Sequence, residues 1–485
     1  MEPVLTVAEM RAVDEIAQGA ESISALVTRA GTAVAVEALS MLGGGGAYGR
    51  RVTVIAGPGN NGNDGRVAAR RLARRGARVT ILDARAAPKE VAGADLVIDA
   101  AFGTGYRGSY EAPDPQGAPV LAVDLPTGVN ADTGVASAGA VRAQRTVTFG
   151  ALKPGLLLNE GPERCGDVVR RPIGLPVAAV RASIHLVDDE DVVSLLPERE
   201  RSGHKWRFAV MVVAGSPGMY GAANYVAAGA GRGGAGMVRL GVPGAAPGSL
   251  PAGTAVARSL PLEGFESGVL EDLGRFRALV VGPGLGTSAE TGAAVRRLVS
   301  FADLPTVVDA DGLTALGGAE QAAEVIRARA GAPVVLTPHD GEFARLSGAP
   351  PGPDRVADVR SLAARIGAIV LLKGSTTVVA APDGQVLLAA AGSARLATAG
   401  SGDVLSGVLG AFLARGLGAL PAAALAAHVH GRAAQLGRAE GLIASDLPEL
   451  VADVLSAAAQ ERAGRAMRAG SRHLHAAGSQ REDRG

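Results

Sequence analysis

Strand-length, β-branched runs separated by amphipathic stretches recur along this chain in two series, and that alternation leaves few folds open. The first series is Arg51-Val52-Thr53-Val54-Ile55-Ala56, Arg78-Val79-Thr80-Ile81-Leu82, Leu96-Val97-Ile98-Asp99 and Val120-Leu121-Ala122-Val123-Asp124, with residues 65–75 reading as a helix between the first two. The second begins at Phe208-Ala209-Val210-Met211-Val212-Val213 and runs through Ala278-Leu279-Val280-Val281, Thr306-Val307-Val308-Asp309, Val334-Val335-Leu336 and Ile369-Val370-Leu371-Leu372. Continuous apolar strands joined by helices belong in parallel sheets covered on both faces. Two such series in 485 residues predict two α/β domains. The charge-dense segment Pro197-Glu198-Arg199-Glu200-Arg201-Ser202-Gly203-His204 places their boundary near residue 200, giving domains over 1–200 and 201–460. Beyond Arg462 the chain turns rich in Arg, Gly and Ser, so 461–485 is expected to be a disordered tail.

Charge narrows the partners. Lys and Arg number 48 against 47 Asp and Glu, a formal net charge of +1, which leaves no basic footprint for nucleic acid or an anionic membrane. The opening Met1-Glu2-Pro3-Val4-Leu5-Thr6 has no basic segment leading into an apolar one, so no signal peptide is expected. Apolar runs such as Ala368–Leu372 stop far short of the ~20 residues a bilayer needs, so no membrane span is expected either. Cys165 is the single cysteine; no intrachain disulfide can form, and a buried, inert thiol in a cytoplasmic protein is the expectation.

In the first half, Val54-Ile55-Ala56-Gly57-Pro58-Gly59-Asn60-Asn61-Gly62-Asn63-Asp64-Gly65 runs from a strand into a helix through a loop of Gly and Asn. Such a loop either lets backbone N–H groups approach an anion or simply makes a tight turn. Two further strand ends carry polar loops, Asp99-Ala100-Ala101-Phe102-Gly103-Thr104-Gly105 and Asp124-Leu125-Pro126-Thr127-Gly128. In an open parallel sheet these ends lie together, and ligands bind there. Asp99, Asp124, Asn61 and Thr127 offer hard oxygen donors, which suit an alkali or alkaline-earth cation rather than zinc.

Those three ordered motifs, with Leu5-Thr6-Val7-Ala8-Glu9-Met10-Arg11, Asp14 and Arg29-Ala30-Gly31, resemble the NAD(P)H-hydrate epimerase family over most of residues 1–200. The resemblance implies a Rossmann-like three-layer α/β domain that interconverts the C6 epimers of hydrated nicotinamide coenzymes beside a bound potassium ion. Carried over by position, substrate is held by Asn60, Asn61, Gly62, Asn63 and Asp64, by the loop Gly103, Thr104, Gly105, Tyr106, Arg107, Gly108 and Ser109, and by Asp124. Asn61, Asp99 and Thr127 are implied as potassium ligands. Asp124 is the candidate acid/base group, against the alternative of a loop-capping aspartate. Thr127 stands where the family usually has Ser, and Asn63 where it usually has Gly.

The second half carries Thr398-Ala399-Gly400-Ser401-Gly402-Asp403-Val404-Leu405-Ser406-Gly407. Small residues at a helix start leave N–H groups free to stabilise a phosphoryl group in flight, and a carboxylate beside them can take the proton of an attacking hydroxyl. No Gly-x-x-x-x-Gly-Lys-Ser/Thr occurs, so this is not a P-loop. The loop resembles the anion hole of ribokinase-like enzymes and, more closely, the ADP/ATP-dependent NAD(P)H-hydrate dehydratase family. His204-Lys205, Gly215-Ser216, Gly221-Ala222-Ala223, Gly282-Pro283-Gly284-Leu285-Gly286, Asp309-Ala310-Asp311, Thr337-Pro338-His339, Gly341-Glu342 and Lys373-Gly374-Ser375-Thr376-Thr377 follow in family order over about 204–455. A ribokinase-like domain is implied, in which the C6 hydroxyl of the hydrate is phosphorylated and phosphate then leaves. Asp403 is the implied base; Gly402 with Lys373, Gly374, Ser375, Thr376 and Thr377 lie against the nucleotide, and Ala222, Gly284, His339 and Asp403 against the hydrate. Magnesium is expected on the phosphates, with Glu342 near it.

Each of these has a plain alternative: a helix cap for Asp403, a loop histidine for His339, a solvated lysine for Lys373. His428 and His430 are read as structural. Together the halves imply a bifunctional repair enzyme acting on NADHX and NADPHX with ADP, or alternatively ATP, and by analogy a homo-oligomer. The competing readings are a ribokinase-like vitamin or sugar kinase with an N-terminal nucleotide-binding module, and an N-terminal half that only binds.

Overall fold

The computed structural model describes residues 1–44, 46–105, 110–199, 202–246, 253, 255–329 and 331–482, with side chains to residue 468. The chain forms two compact units, Pro3–Ile184 and His185–Gly485, the latter including Met1 and Glu2. The boundary therefore lies ahead of the charged segment that suggested residue 200. The helix Asp189–Leu195 explains the shift, because Val192 and Leu196 are buried in the core of the second unit and Asp189 accepts hydrogen bonds from Arg432 and meets His428. The charges beyond it serve that unit too: Arg199 donates to the carbonyls of Gly234 and Ala235.

The first unit is built on a six-stranded, wholly parallel sheet in the order Arg78–Asp83, Arg51–Ala56, Leu96–Ala100, Val120–Val123, Arg145–Phe149, Asp167–Arg171. The chain leaves Arg51–Ala56 toward one edge and returns on its other side, which opens a crevice at the carboxyl ends of Arg51–Ala56 and Leu96–Ala100. Helices Ile23–Met41 and Asn60–Arg74 cover one face. The opposite face is covered by irregular segments carrying Val91, Tyr110, Ala118 and Val141, so among the described residues this third layer is made of loops rather than helices.

Among the described residues Ile23–Met41 is the one helix long and apolar enough to cross a membrane. Its apolarity is spent on packing: Ala30, Val34, Ala35 and Ala38 are buried, and at Gly31 an added Cβ would stand 2.4 Å from Val67 Cβ of the facing helix.

The second unit is built on a large, mostly parallel sheet. From Ile369–Leu372 through Val334–Leu336, Thr306–Val308, Ala278–Val281, Ala209–Val213 and Met237–Pro243 to Val256–Leu260 the strands are parallel. Thr377–Ala380 and Val386–Ala389 add an antiparallel extension. Val210, Val212, Val280, Val307 and Val335 pack against helices Tyr220–Arg232, Ser401–Ala414 and Ala419–Leu436. The alternate set Met211, Leu279, Val308, Leu336 and Val370 is buried as well, as a doubly covered sheet requires. Helices Ala289–Phe301, Ala319–Arg327 and Arg355–Ile366 complete the unit. Both halves thus have the α/β class expected of them.

The expected disordered tail is not what the structure has: the last helix runs Leu447–Glu482. Ala, Arg, Gln and Glu are strong helix formers even without a regular apolar stripe, and the helix is tied down where Arg462 donates to the carbonyls of Val192 and Val193.

Candidate active sites

In the first unit Gly57-Pro58-Gly59 leads from Arg51–Ala56 into Asn60–Arg74, whose N-terminus no side chain caps. Close approach demands the glycines: an added Cβ would lie 1.7 Å from the Ala101 carbonyl oxygen at Gly57, and 1.9 Å from that of Gly57 at Gly62. The loop is thereby pressed onto the neighbouring strand end, and a cleft of about 570 Å³ opens beside it. Asn60, Asn61, Asp64, Gly103, Thr104, Gly105 and Asp124 all line it, as does Asp14 from the helix Val7–Ala20. Gly62 is buried behind the loop, and Asn63 is exposed outside the cleft lining. Tyr106, Arg107, Gly108 and Ser109 lie outside the described residues.

Asp99 and Thr127 form the floor. The Asp99 carboxylate accepts from the Thr127 amide and hydroxyl, each at 2.8 Å, while Thr127 Oγ1 accepts from the Phe102 amide at 3.1 Å. Burial pushes the Asp99 carboxyl up to about 6 against these bonds. Above the floor the side-chain oxygen and nitrogen of Asn61 are buried with no hydrogen-bond partner, and Asn61 Cβ stands 3.5 Å from where a Gly103 Cβ would be. An orphaned buried amide beside a buried carboxylate and hydroxyl fits a weakly hydrated cation.

Asp124 ends its strand at φ +66, a left-handed conformation that turns its carboxylate into the cleft. Its Oδ1 accepts from Lys153 Nζ at 2.6 Å and from the Thr148 hydroxyl at 3.1 Å. Lys153 is 1% exposed and donates also to Thr148 Oγ1 and the Phe149 carbonyl. Lys153 belongs to none of the motifs that mark this half of the chain. Its only signal was a single cation inside the otherwise apolar, glycine-flanked stretch Gly150-Ala151-Leu152-Lys153-Pro154-Gly155.

In the second unit Gly400, at φ +91, starts the helix Ser401–Ala414 without a side-chain cap, leaving the Gly402 and Asp403 N–H groups without helical partners. Asp403 is thus no N-cap; it sits inside the first turn. Burial first, and then Asp309, push its carboxyl up to about 7, with Lys373 pulling the other way. Lys373 Nζ donates to Asp309 Oδ1 at 2.9 Å and stands 3.7 Å from Glu342 Oε2; Ser406, one turn beyond Asp403, donates to Asp309 Oδ2 at 2.7 Å. Burial pulls the Lys373 ammonium down, but Asp309, Glu342 and Asp403 hold it above its ordinary value. It is not a solvated lysine. Gly402 faces it closely, since an added Cβ would lie 3.4 Å from Nζ.

Ala222 and Gly284 meet, with an added Cβ on Gly284 3.0 Å from Ala222 Cβ, and Asp311 accepts from the Gly286 amide at 2.9 Å. His339 caps the helix Asp340–Ser347: Nδ1 accepts from the Gly341 amide at 3.0 Å, so the proton sits on Nε2, 3.5 Å from Glu342 Oε1. Gly374 and Ser375 are exposed beyond Lys373, whereas Thr376 and Thr377 are buried. His428 meets Asp189 at 2.8 Å, a structural partner. Cys165 is buried, its thiol pushed up to about 12.

Comparison with known proteins follows this division. Residues 210–456 match the family model described as NAD(P)H-hydrate dehydratase, and residues 23–92 and 82–155 match that of the YjeF-related protein N-terminus. The bifunctional NAD(P)H-hydrate repair enzyme Nnr of Moorella thermoacetica is 34% identical, the match covering 93% of this chain and 96% of that protein. This chain belongs to the bifunctional NAD(P)H-hydrate repair enzyme family. The Mycobacterium tuberculosis member is 40% identical over 71% of this chain and 74% of its own length. Among solved structures, the ADP/ATP-dependent NAD(P)H-hydrate dehydratase of Bacillus subtilis, co-crystallised with ATP and magnesium, is 28% identical with a TM-score of 0.47, covering 56% of this chain and 98% of that one. Asn61 and Asp124 fall within the match to the YjeF-related N-terminus, and Asp403 and Lys373 within the match to the NAD(P)H-hydrate dehydratase family.

Proposed function

We propose that this chain restores hydrated nicotinamide coenzymes, NADHX and NADPHX, in two steps on its two units. The N-terminal unit interconverts the epimers at C6, and the C-terminal unit dehydrates the (S) epimer with ADP as phosphoryl donor, ATP being the alternative. The observation that carries the reading is Asp403, seated beside open helix N–H groups and across from the Lys373–Asp309 pair. The Asp403 carboxylate takes the C6 hydroxyl proton as the oxygen attacks the terminal phosphoryl group, while the Gly402 and Asp403 amides receive the growing charge. Phosphate, a better leaving group than hydroxide, then departs from C6 with its electron pair while C5 gives up a proton, and the C5–C6 double bond of the dihydronicotinamide returns. Lys373, clamped by Asp309 and Glu342, faces Gly402 and positions the nucleotide.

Magnesium bound with the nucleotide would supply charge neutralisation on the phosphates, and Glu342, 3.7 Å from Lys373 Nζ, is the carboxylate that would help position it. In the N-terminal unit, Asn61, Asp99 and Thr127 would hold potassium, which anchors substrate rather than reacting. A cytoplasmic location fits a coenzyme substrate.

Incubating the protein with both epimers, ADP, magnesium and potassium, and following dihydronicotinamide absorbance, tests this. Conversion of both epimers supports the two activities, and conversion of half leaves only the dehydratase. No signal with either nucleotide sinks the reading in favour of a kinase for another hydroxyl.

A further inference from the structure

The cleft of the N-terminal unit gathers Asp14, Asp64 and Asp124 with the cations Lys153 and Arg85, and the three carboxyl groups are placed differently. Asp124 is salt-bridged to Lys153, which is itself held by the Thr148 hydroxyl and the Phe149 carbonyl. Asp64, on the helix Asn60–Arg74, is 7% exposed and has a buried Oδ1 with no partner. Asp14 faces the cleft from the helix Val7–Ala20, half-buried.

Epimerising C6 asks for two proton carriers. C6 of the hydrate bears both the hydroxyl group and the ring nitrogen, so it can open without any co-reactant. A base takes the hydroxyl proton, the C6–N1 electron pair passes to nitrogen as an acid protonates it, and C6 becomes an aldehyde. The aldehyde turns, nitrogen re-attacks its other face, and both protons return, so nothing is oxidised, reduced or consumed.

We infer that Asp124, seated on Lys153, is the base of this exchange, that Asp64 is its acid, and that Lys153 is the residue that positions Asp124. This assignment rests on the epimerase reading above. Burial first, and then the nearby Asp124, push the Asp64 carboxyl up to about 8, so it carries a proton through neutral pH. Asp14 is raised as well, by burial and Asp124, with Lys153 opposing. Lys153 does not neutralise Asp64, because its hydrogen bonds go to Asp124, Thr148 and Phe149. One carboxylate with a cation and one without is the asymmetry that separates a base from an acid in a shared site.

The test uses the whole chain without nucleotide, starting from purified (R) epimer and following the (S) epimer by chromatography across pH. Wild-type kcat falls as pH rises through about 8, where Asp64 loses its proton. Asp64→Asn lowers kcat by roughly 10²–10⁴-fold, with KM little changed, and removes that alkaline fall. Lys153→Met shifts the acid-side limb of the profile to higher pH, and Lys153→Arg restores part of the wild-type profile. Hydrogen-exchange protection of Arg51–Ala56 shows whether each variant's N-terminal unit is folded. A folded Asp64→Asn variant with wild-type rate and profile overturns the assignment, as does a Lys153→Met variant that loses rate with an unmoved profile. A wild-type chain that never interconverts the epimers overturns the activity itself, and the assignment with it.

Discussion

At the scale of single residues, Asp403 gives the sharpest expectation. Its carboxyl is pushed up to about 7, and only the ionised form can accept the hydroxyl proton, so dehydration slows as pH falls through about 7 and levels off above it. Asp403→Asn is expected to lower dehydration by roughly 10²–10⁴-fold and to leave epimerisation unchanged, read from initial rates on the purified (S) epimer. His339 makes a different case, because its Nδ1 is engaged as a helix cap. His339→Ala is expected to cost about 0.5–2 kcal/mol in thermal unfolding, and His339→Asn, which can cap, to recover most of it. Asp403 was legible in the sequence because glycines crowd the same few positions. Lys153 was not: the carboxylate that needs it is supplied by a different strand end, and nothing along the chain links them. The capping role of His339 was equally hidden, since a cap is a matter of backbone direction.

Elements carry their own constraints. The helix that presents Asp403 is set by two glycine contacts: a Cβ on Gly407 would lie 2.1 Å from the Val226 carbonyl oxygen, and one on Gly229 2.3 Å from that of Val404. Gly407→Ala must therefore push Ser401–Ala414 away from Tyr220–Arg232. A loss of about 1–3 kcal/mol is expected in denaturant unfolding, together with a dehydration rate that falls more than the rate of epimerisation. The strands with continuous apolar runs were readable and lie where expected, whereas Arg145–Phe149, Asp167–Arg171, Met237–Pro243, Val256–Leu260, Thr377–Ala380 and Val386–Ala389 were not singled out. Less was readable where no apolar pattern marks an element. The last helix lacks a stripe, so in the sequence nothing separates its distal part, from residue 461 on, from a disordered tail. The helix Asp189–Leu195 opens with three acidic residues, and its membership of the second unit shows only through Val192 and Leu196. On the first sheet, the loops that cover its second face have no periodicity to read.

For the molecule as a whole, the division into Pro3–Ile184 and His185–Gly485 places Asp124 and Asp403 in different cores, so each activity can be removed alone. An Asp124→Asn chain is expected to convert only the (S) half of an epimer mixture rapidly, the remainder following at the slow uncatalysed rate. An Asp403→Asn chain equilibrates the epimers and returns almost no dihydronicotinamide. Mixing the two variants supplies one working copy of each site on separate molecules. If the epimer formed by one unit is released to solution before the other takes it, the mixture converts everything, at a rate that rises with the concentration of either variant until the slower step limits. If epimerisation and dehydration need one chain, the mixture stops near the half converted by the Asp124→Asn chain alone. Because the two sites belong to separately packed units, full conversion by the mixture is the expected outcome, and a plateau at half would show that the units act only as a pair.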